Sequence, residues 1–208
     1  MKIIIPPSDS QCVITTIAIG TSFFDNWEKF AKPLWEKYCK RHQLGLIVFD
    51  QELIGRDDPL WKKPNWQKTL IGDALKVKLP SIKNVCYLDS DILINPFSPN
   101  VFDSYDSNSV GLVSLRKNLP YPYENTIRRV AFLRNRYYDT DYPLDSALFI
   151  SLQDLYKFHG LSVQEDEACS GFFRIEFCCT PRLVCLHSAG AYFLSVWLPD
   201  LLLLGFSF

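Results

Sequence analysis

Two aspartates stand one residue apart at the end of a short apolar run, Asn84-Val85-Cys86-Tyr87-Leu88-Asp89-Ser90-Asp91-Ile92-Leu93-Ile94-Asn95-Pro96. A run of this length and composition reads as a buried strand of an α/β sheet. In an extended chain, residues i and i+2 point the same way, so Asp89 and Asp91 are expected to converge on one ligand. Two like charges this close in an apolar setting are costly unless a cation neutralises them. The usual answer is a hard divalent ion with oxygen ligands, shared with the phosphates of a substrate.

Spacing alone is weak support for such a site. With 16 Asp in 208 residues, about one Asp-x-Asp is expected by chance. The chain carries its own control. Asp139-Thr140-Asp141 has the same spacing but follows Arg136-Tyr137-Tyr138, with no apolar strand behind it. That pair reads as a solvated loop, whereas strand and closing Asn95-Pro96 give the first pair its weight.

The length suits one domain with a substantial core. Hydrophobic content of 48% and aromatic content of 14% describe a globular chain. A formal net charge of -1 implies no general attraction to nucleic acid or anionic lipid. Seven cysteines without a Cys-x-x-Cys pair read as reduced thiols of a cytoplasmic protein, neither a disulfide framework nor a zinc site. The apolar part of Met1-Lys2-Ile3-Ile4-Ile5-Pro6-Pro7 is too short for a signal peptide or anchor. The segment 183–208 is different. Its only formal charge is Asp200, and Pro199-Asp200 interrupts an apolar stretch that would otherwise approach a membrane span. Buried core, a surface for a membrane or protein partner, and a non-native ending all remain open for it. The expected organisation is a domain over 1–182 with an atypical apolar tail over 183–208.

Cys12 to Ile19 is a strand by its β-branched content, ended by Gly20-Thr21. Trp27, Phe30, Ala31, Leu34 and Tyr38 follow a helical period, with Asp25 as an N-cap candidate and Pro33 as a kink or restart. Leu46–Phe49 is a second strand, and 51–65 a polar loop. Trp66 to Leu79 reads as a helix presenting Trp66, Leu70, Ala74 and Val77. After the Asp89 strand come a short strand at Gly111–Ser114, helical patterns at Ile127–Arg134 and Leu144–Tyr156, and a late strand from Ala168. This alternation predicts a mostly parallel, Rossmann-like sheet flanked by helices. Asp89 and Asp91 then lie at the C-terminal end of a central strand, where open α/β sheets bind ligands.

With these residues in place, the chain resembles nucleotide-sugar glycosyltransferases of the GT-A fold, and most of all the retaining families that include glycogenin and bacterial lipopolysaccharide galactosyltransferases. The resemblance runs over roughly residues 12 to 175. It rests on the first strand and its small-residue turn, on Lys68 in a helix about twenty residues before the Asp-x-Asp, on Tyr87-Leu88-Asp89-Ser90-Asp91-Ile92-Leu93, and on Cys169-Ser170-Gly171-Phe172-Phe173 downstream. It implies that Asp89 and Asp91 hold Mn2+ or Mg2+ bridging the diphosphate of a nucleotide-sugar donor, a UDP-sugar by family habit. It also implies that Ser90 and Lys68 lie near that donor, and that Thr15, Ala18 and Gly20 border its nucleoside. The acceptor, whether glycan, lipid or protein, is not specified. A retaining enzyme of this kind needs no strong protein base if the leaving phosphate takes the acceptor's proton; Glu165-Asp166-Glu167 reads as a solvated run.

The departures from the family lie late in the chain. The usual His-x-x-Gly-x-x-Lys-Pro is represented by His187-Ser188-Ala189-Gly190 alone, so His187 is a third ligand only by half a motif, and the chain is expected to be truncated relative to the family. A non-catalytic relative that binds a nucleotide or a partner is the main alternative. A dehalogenase-type phosphatase would carry its Asp-x-Asp in the first strand of the core. A nucleotidyltransferase would carry a Gly- and Lys-rich loop where Gly20-Thr21-Ser22 stands. The decoy supplies a direct check: Asp139→Asn and Asp141→Asn should leave the Mn2+ affinity of the chain unchanged in a calorimetric titration. A loss like that of the 89–91 variants would show that spacing, not the strand, identifies the site.

Overall fold

In a computed structural model of the protein, the described residues are 1–61, 63–103, 110–114, 152–158 and 168–176, with 122, 124–125, 128, 132, 160 and 162–163 between them. Six strands run in the order β1-β3-β2-β4-β6-β5. They are β1 (Lys2–Ile5), β2 (Cys12–Ile17), β3 (Gly45–Phe49), β4 (Asn84–Leu88), β5 (Gly111–Ser114) and β6 (Ala168–Glu176). The helices are α1 (Thr21–Asn26), α2 (Lys32–His42), α3 (Pro64–Gln67), α4 (Ile71–Lys78) and α5 (Leu152–Phe158). The chain divides into two compact units, one of Met1–Gly111 with Gly171–Cys185, the other of Leu112–Ser170 with Leu186–Phe208. The first holds the site discussed below; α5 belongs to the second. The expected boundary at 182/183 lies outside the described residues, as do the tail and the Asp139/Asp141 decoy.

The α/β architecture is the one expected, but the sheet is mixed. β2 pairs in parallel with both β3 and β4, which makes β2 the centre of a parallel core. β1 is antiparallel to β3 and β6 antiparallel to β4. The sequence reading had no strand at β1.

Both faces of the core strands are covered, which is why they read as unbroken apolar runs. Side chains alternate across a strand. Cys12, Ile14, Leu46, Val48, Cys86 and Leu88 therefore meet Trp27, Ala31, Trp35, Tyr38 and Cys39 on one face. Val13, Ile47, Phe49, Val85 and Tyr87 pack with Ile71, Leu75 and Ile82 on the other.

Two helical readings shift by a residue. Between α1 and α2 the chain makes a π-helical turn at Trp27–Ala31, and Pro33 sits in the first turn of α2. The extra residue rotates the buried face to Trp27, Ala31, Trp35, Tyr38 and Cys39, leaving Phe30 57% exposed. Pro33 restarts the helix, as its missing N–H allows. Asp25 lies inside α1, whose N-cap is Gly20. Likewise a 3-10 turn at Lys68–Leu70 separates α3 from α4. The tighter winding moves the buried face to Gln67, Ile71 and Leu75, and Val77 is 83% exposed.

α2 ends at Gln43, whose φ of 54° is left-handed, and the Leu44 N–H donates to the Cys39 carbonyl at 2.9 Å. Gly45 then enters β3 against the chain at Pro7. A Cβ there would lie 2.8 Å from Val13 Cγ1 and 3.1 Å from Pro7 Cα. The second contact is backbone and cannot rotate away. Gly45→Ala should therefore destabilise the chain by about 1–3 kcal/mol, read as a lower urea midpoint. An unchanged midpoint would mean that the Pro7 segment yields freely.

Candidate functional site

The site begins where β4 ends. Asp89 follows Leu88 directly, and Asp89-Ser90-Asp91 is not extended: the Ile92 N–H donates to the Asp89 carbonyl at 3.1 Å, closing a turn. The expectation that an extended strand aims both carboxylates one way is thus corrected. A turn at the strand's C-terminal end brings them together instead. Both aspartates lie just past the C-terminal end of β4, at the edge of the parallel core.

Asp89 is held from three directions. Its N–H donates to the Gly171 carbonyl at 2.9 Å. This extends the antiparallel ladder in which Leu88 faces Phe172 and Tyr87 faces Phe173. The Tyr87 hydroxyl donates to Asp89 Oδ1 at 2.7 Å. Lys68 Nζ reaches the same oxygen at 3.1 Å and lies 5.2 Å from the centre of the Tyr87 ring. The sequence motifs at 89–91 and 169–173 therefore form one unit.

Lys68 is placed by the 3-10 turn and by Gln67. Gln67 is fully buried; its Oε1 accepts from the Leu53 N–H at 2.6 Å, and its amide donates to Glu52 at 3.4 Å. That ties the loop after β3 to the base of the helix, so the next residue points at β4. The Lys68 side chain is 11% exposed. Its ion pair with a partly exposed carboxylate contributes on the order of 1 kcal/mol, so its main effect is on charge and geometry.

Asp91 lies on the exposed side of the turn. Although the residue as a whole is exposed, protein packed around its carboxyl raises it from the ordinary aspartate range by desolvation first and by the negative charge of Asp89 next, while a hydrogen bond from its own backbone and then Lys68 oppose the rise. Burial also pushes the Tyr87 hydroxyl well above its usual range, with Asp89 adding to the effect, so it stays a protonated donor.

The segment after the turn is pinned to α2. Trp35 Nε1 donates to the Ile92 carbonyl at 2.8 Å, and the Tyr38 hydroxyl donates to the Pro99 carbonyl at 2.8 Å. The Val101 N–H returns to that hydroxyl at 2.7 Å, and Arg174 donates to the Val101 carbonyl at 2.9 Å. Asn95 and Asn100 each accept from a backbone N–H two residues on, at 3.0 Å.

The structure pairs Lys68 with Asp89, a contact the resemblance, which places Lys68 near a donor diphosphate, does not specify. Thr15 is fully buried in β2, level with Tyr87 in the sheet register. Its Oγ1 has no hydrogen-bond partner among the described residues. Ala18 is buried, its N–H held by the Phe49 carbonyl at 2.9 Å, while Gly20 is exposed with φ 94°. Among the described residues no hydrogen bond links these three to the aspartates. Ser90 sits in the turn, half-buried. His187 and Glu165–Glu167 lie outside the described residues.

Sequence reasoning missed Tyr87, Gln67 and the Gly171 carbonyl. Tyr87 was within reach, since residues i and i−2 share a strand face. Gln67 was not, because a buried glutamine looks like any other polar residue on a helix.

A divalent ion fits the donor set in kind: two carboxylates in one turn supply hard oxygens. Among the described residues no group of three His, Cys, Asp or Glu side chains gathers around a possible metal position. The remaining ligands would come from elsewhere, as is usual for ions carried with phosphates.

No family model matches the chain, and no curated protein matches it. Among solved structures it is similar to the crystal structure of a glycosyltransferase involved in the glycosylation of the major capsid of PBCV-1, with a TM-score of 0.46 and 14% identity, over 85% of this chain and 65% of that one. The chain thus spans less than two thirds of that protein's length. A likeness this loose carries no weight for the site, which stands on its geometry.

Trp35→Phe should keep the packing against Trp27 but lose the hydrogen bond to Ile92. The expected result is a loss of about 1 kcal/mol and faster hydrogen exchange confined to the segment from Asp89 to Asn95. Uniform protection in the variant would show that the turn does not depend on α2.

Proposed function

We propose that the chain is a metal-dependent glycosyltransferase domain of GT-A type, moving a sugar from a nucleoside-diphosphate donor, a UDP-sugar by resemblance, to an acceptor of unspecified class. The observation that carries this reading is the meeting of Asp89, Asp91 and Lys68 at the C-terminal end of β4, tied to Gly171 of β6. Paired carboxylates suit a cation, and a neighbouring ammonium suits a phosphate.

In this reading Asp89 and Asp91 would hold Mn2+ or Mg2+, which supplies stabilisation of the charge that grows on the departing diphosphate. Lys68 adds a second positive charge beside that diphosphate. Tyr87 and Gly171 fix Asp89, so little reorganisation is needed when the donor arrives. Thr15 to Gly20 would flank the nucleoside, with Gly20 the open position among Thr15, Ala18 and Gly20. Retention of configuration belongs to the same proposal, supported by the resemblance. A reducing, cytoplasmic setting is also part of it, supported by buried free thiols at Cys12, Cys39 and Cys86. No helix among the described residues is long and apolar enough to cross a membrane.

The test is release of labelled nucleoside diphosphate from a panel of nucleotide-sugars with Mn2+ present. Turnover of at least one donor is expected, with Asp89→Asn and Asp91→Asn each lowering it at least about a hundredfold, the scale of losing a charge-stabilising group. Full activity in both variants would overturn the reading. Nucleotide binding without turnover of any donor would favour a non-catalytic relative.

A further inference from the structure

We infer that Tyr87, as a positioning residue acting together with Lys68, restricts Asp89 to one ligating oxygen and so biases the site toward small six-coordinate divalent cations over calcium. The inference rests on Asp89 being a metal ligand, as proposed above, and deepens that reading by naming the residue that sets how Asp89 meets the cation.

An ionised carboxylate has two oxygens with about two acceptor positions on each. Asp89 Oδ1 accepts from the Tyr87 hydroxyl at 2.7 Å and from Lys68 Nζ at 3.1 Å. Those two donors fill it. Among the described residues no hydrogen bond reaches Oδ2, which is left for a cation. The constraint is stiff because its donors are. Tyr87 is 3% exposed, and its ring stacks on Phe173 with centroids 4.8 Å apart and planes 17° apart. Phe173 faces Tyr87 in the ladder, two residues from the carbonyl that holds the Asp89 N–H. Rotating the carboxylate to offer both oxygens would break a buried hydroxyl's hydrogen bond, so Asp89 stays monodentate.

Calcium takes six to eight oxygens and readily accepts a bidentate carboxylate, whereas Mg2+ and Mn2+ favour octahedral sites met by single oxygens. A carboxylate locked to one oxygen therefore costs calcium a contact it would otherwise make and costs the smaller ions nothing. Removing the hydroxyl vacates one of the two acceptor positions of Oδ1, leaving Lys68 on the other, loosens Asp89 for all cations, and reopens the bidentate option that only calcium uses well.

The experiment uses the full chain and the metal alone. Mn2+ binding is followed by electron paramagnetic resonance of the free ion, and Ca2+ binding by competition. In Tyr87→Phe, which keeps the ring on Phe173, Mn2+ affinity should fall about tenfold and Ca2+ affinity by less, so the preference for Mn2+ drops severalfold. Phe173→Leu keeps the hydroxyl but loosens its ring and should move the ratio the same way by a smaller factor. Far-ultraviolet circular dichroism checks the fold of both. A preference that stays constant or rises in both variants, whether both affinities fall together or neither moves, overturns the inference while leaving the metal reading standing. A wild-type chain that binds neither ion overturns the metal reading and the inference with it.

Discussion

Bringing Asp89 and Asp91 together at the edge of a buried sheet sets a problem of charge that the surrounding structure answers locally. Desolvation first and the negative charge of Asp89 next raise the Asp91 carboxyl, and Lys68 acts against that rise. The Lys68 ammonium and the Tyr87 hydroxyl share one oxygen of Asp89, and the Gly171 carbonyl holds its backbone. Remove any of these and the turn loses either its charge balance or its place. The antiparallel pairing of β6 with β4 is what delivers Gly171 and Phe173 to this point, so the topology of the sheet and the electrostatics of the turn are one constraint.

The rigidity of the rest follows from where the neighbouring polar groups go. The segment from Ile92 to Val101 has little regular structure, yet its carbonyls are taken by Trp35, Tyr38 and Arg174. Buried backbone groups need partners, and here large side chains of α2 and β6 supply them. The aromatic residues that fill the core on that face thus also fix the approach to the turn. On the other face, Gln67 does the same for the loop after β3 and for Lys68.

Most of this architecture was legible in the sequence. The β-branched runs at β2, β3 and β4 read as strands because both faces of each are covered, whereas Lys68 was singled out only through the family resemblance. The failures have physical causes. The π turn at Trp27–Ala31 and the 3-10 turn at Lys68–Leu70 shift helical phase by about one residue, so a uniform period placed Phe30 and Val77 inside when both are exposed. β1 is an edge strand whose β-branched Ile3-Ile4-Ile5 is a strand signal, but the run is short and its pairing with β3 is long-range, so the sequence reading weighs it only as a signal-peptide candidate. The antiparallel sense of β6 is equally non-local. The turn at 89–92 was within reach, since Asp-Ser-Asp is rich in turn formers and poor in strand formers, but the apolar residues on both sides drew the strand reading through it.

The central claim is that this turn, and not the spacing of its aspartates, makes a cation-dependent diphosphate site. Isothermal titration of the wild-type chain with UDP in the presence and absence of Mn2+ tests it most directly. The account predicts binding that appears with Mn2+ and falls at least about tenfold without it, the scale of losing a metal's contribution to a shared site. Equal affinity in both conditions, or no binding of any nucleoside diphosphate, would contradict it.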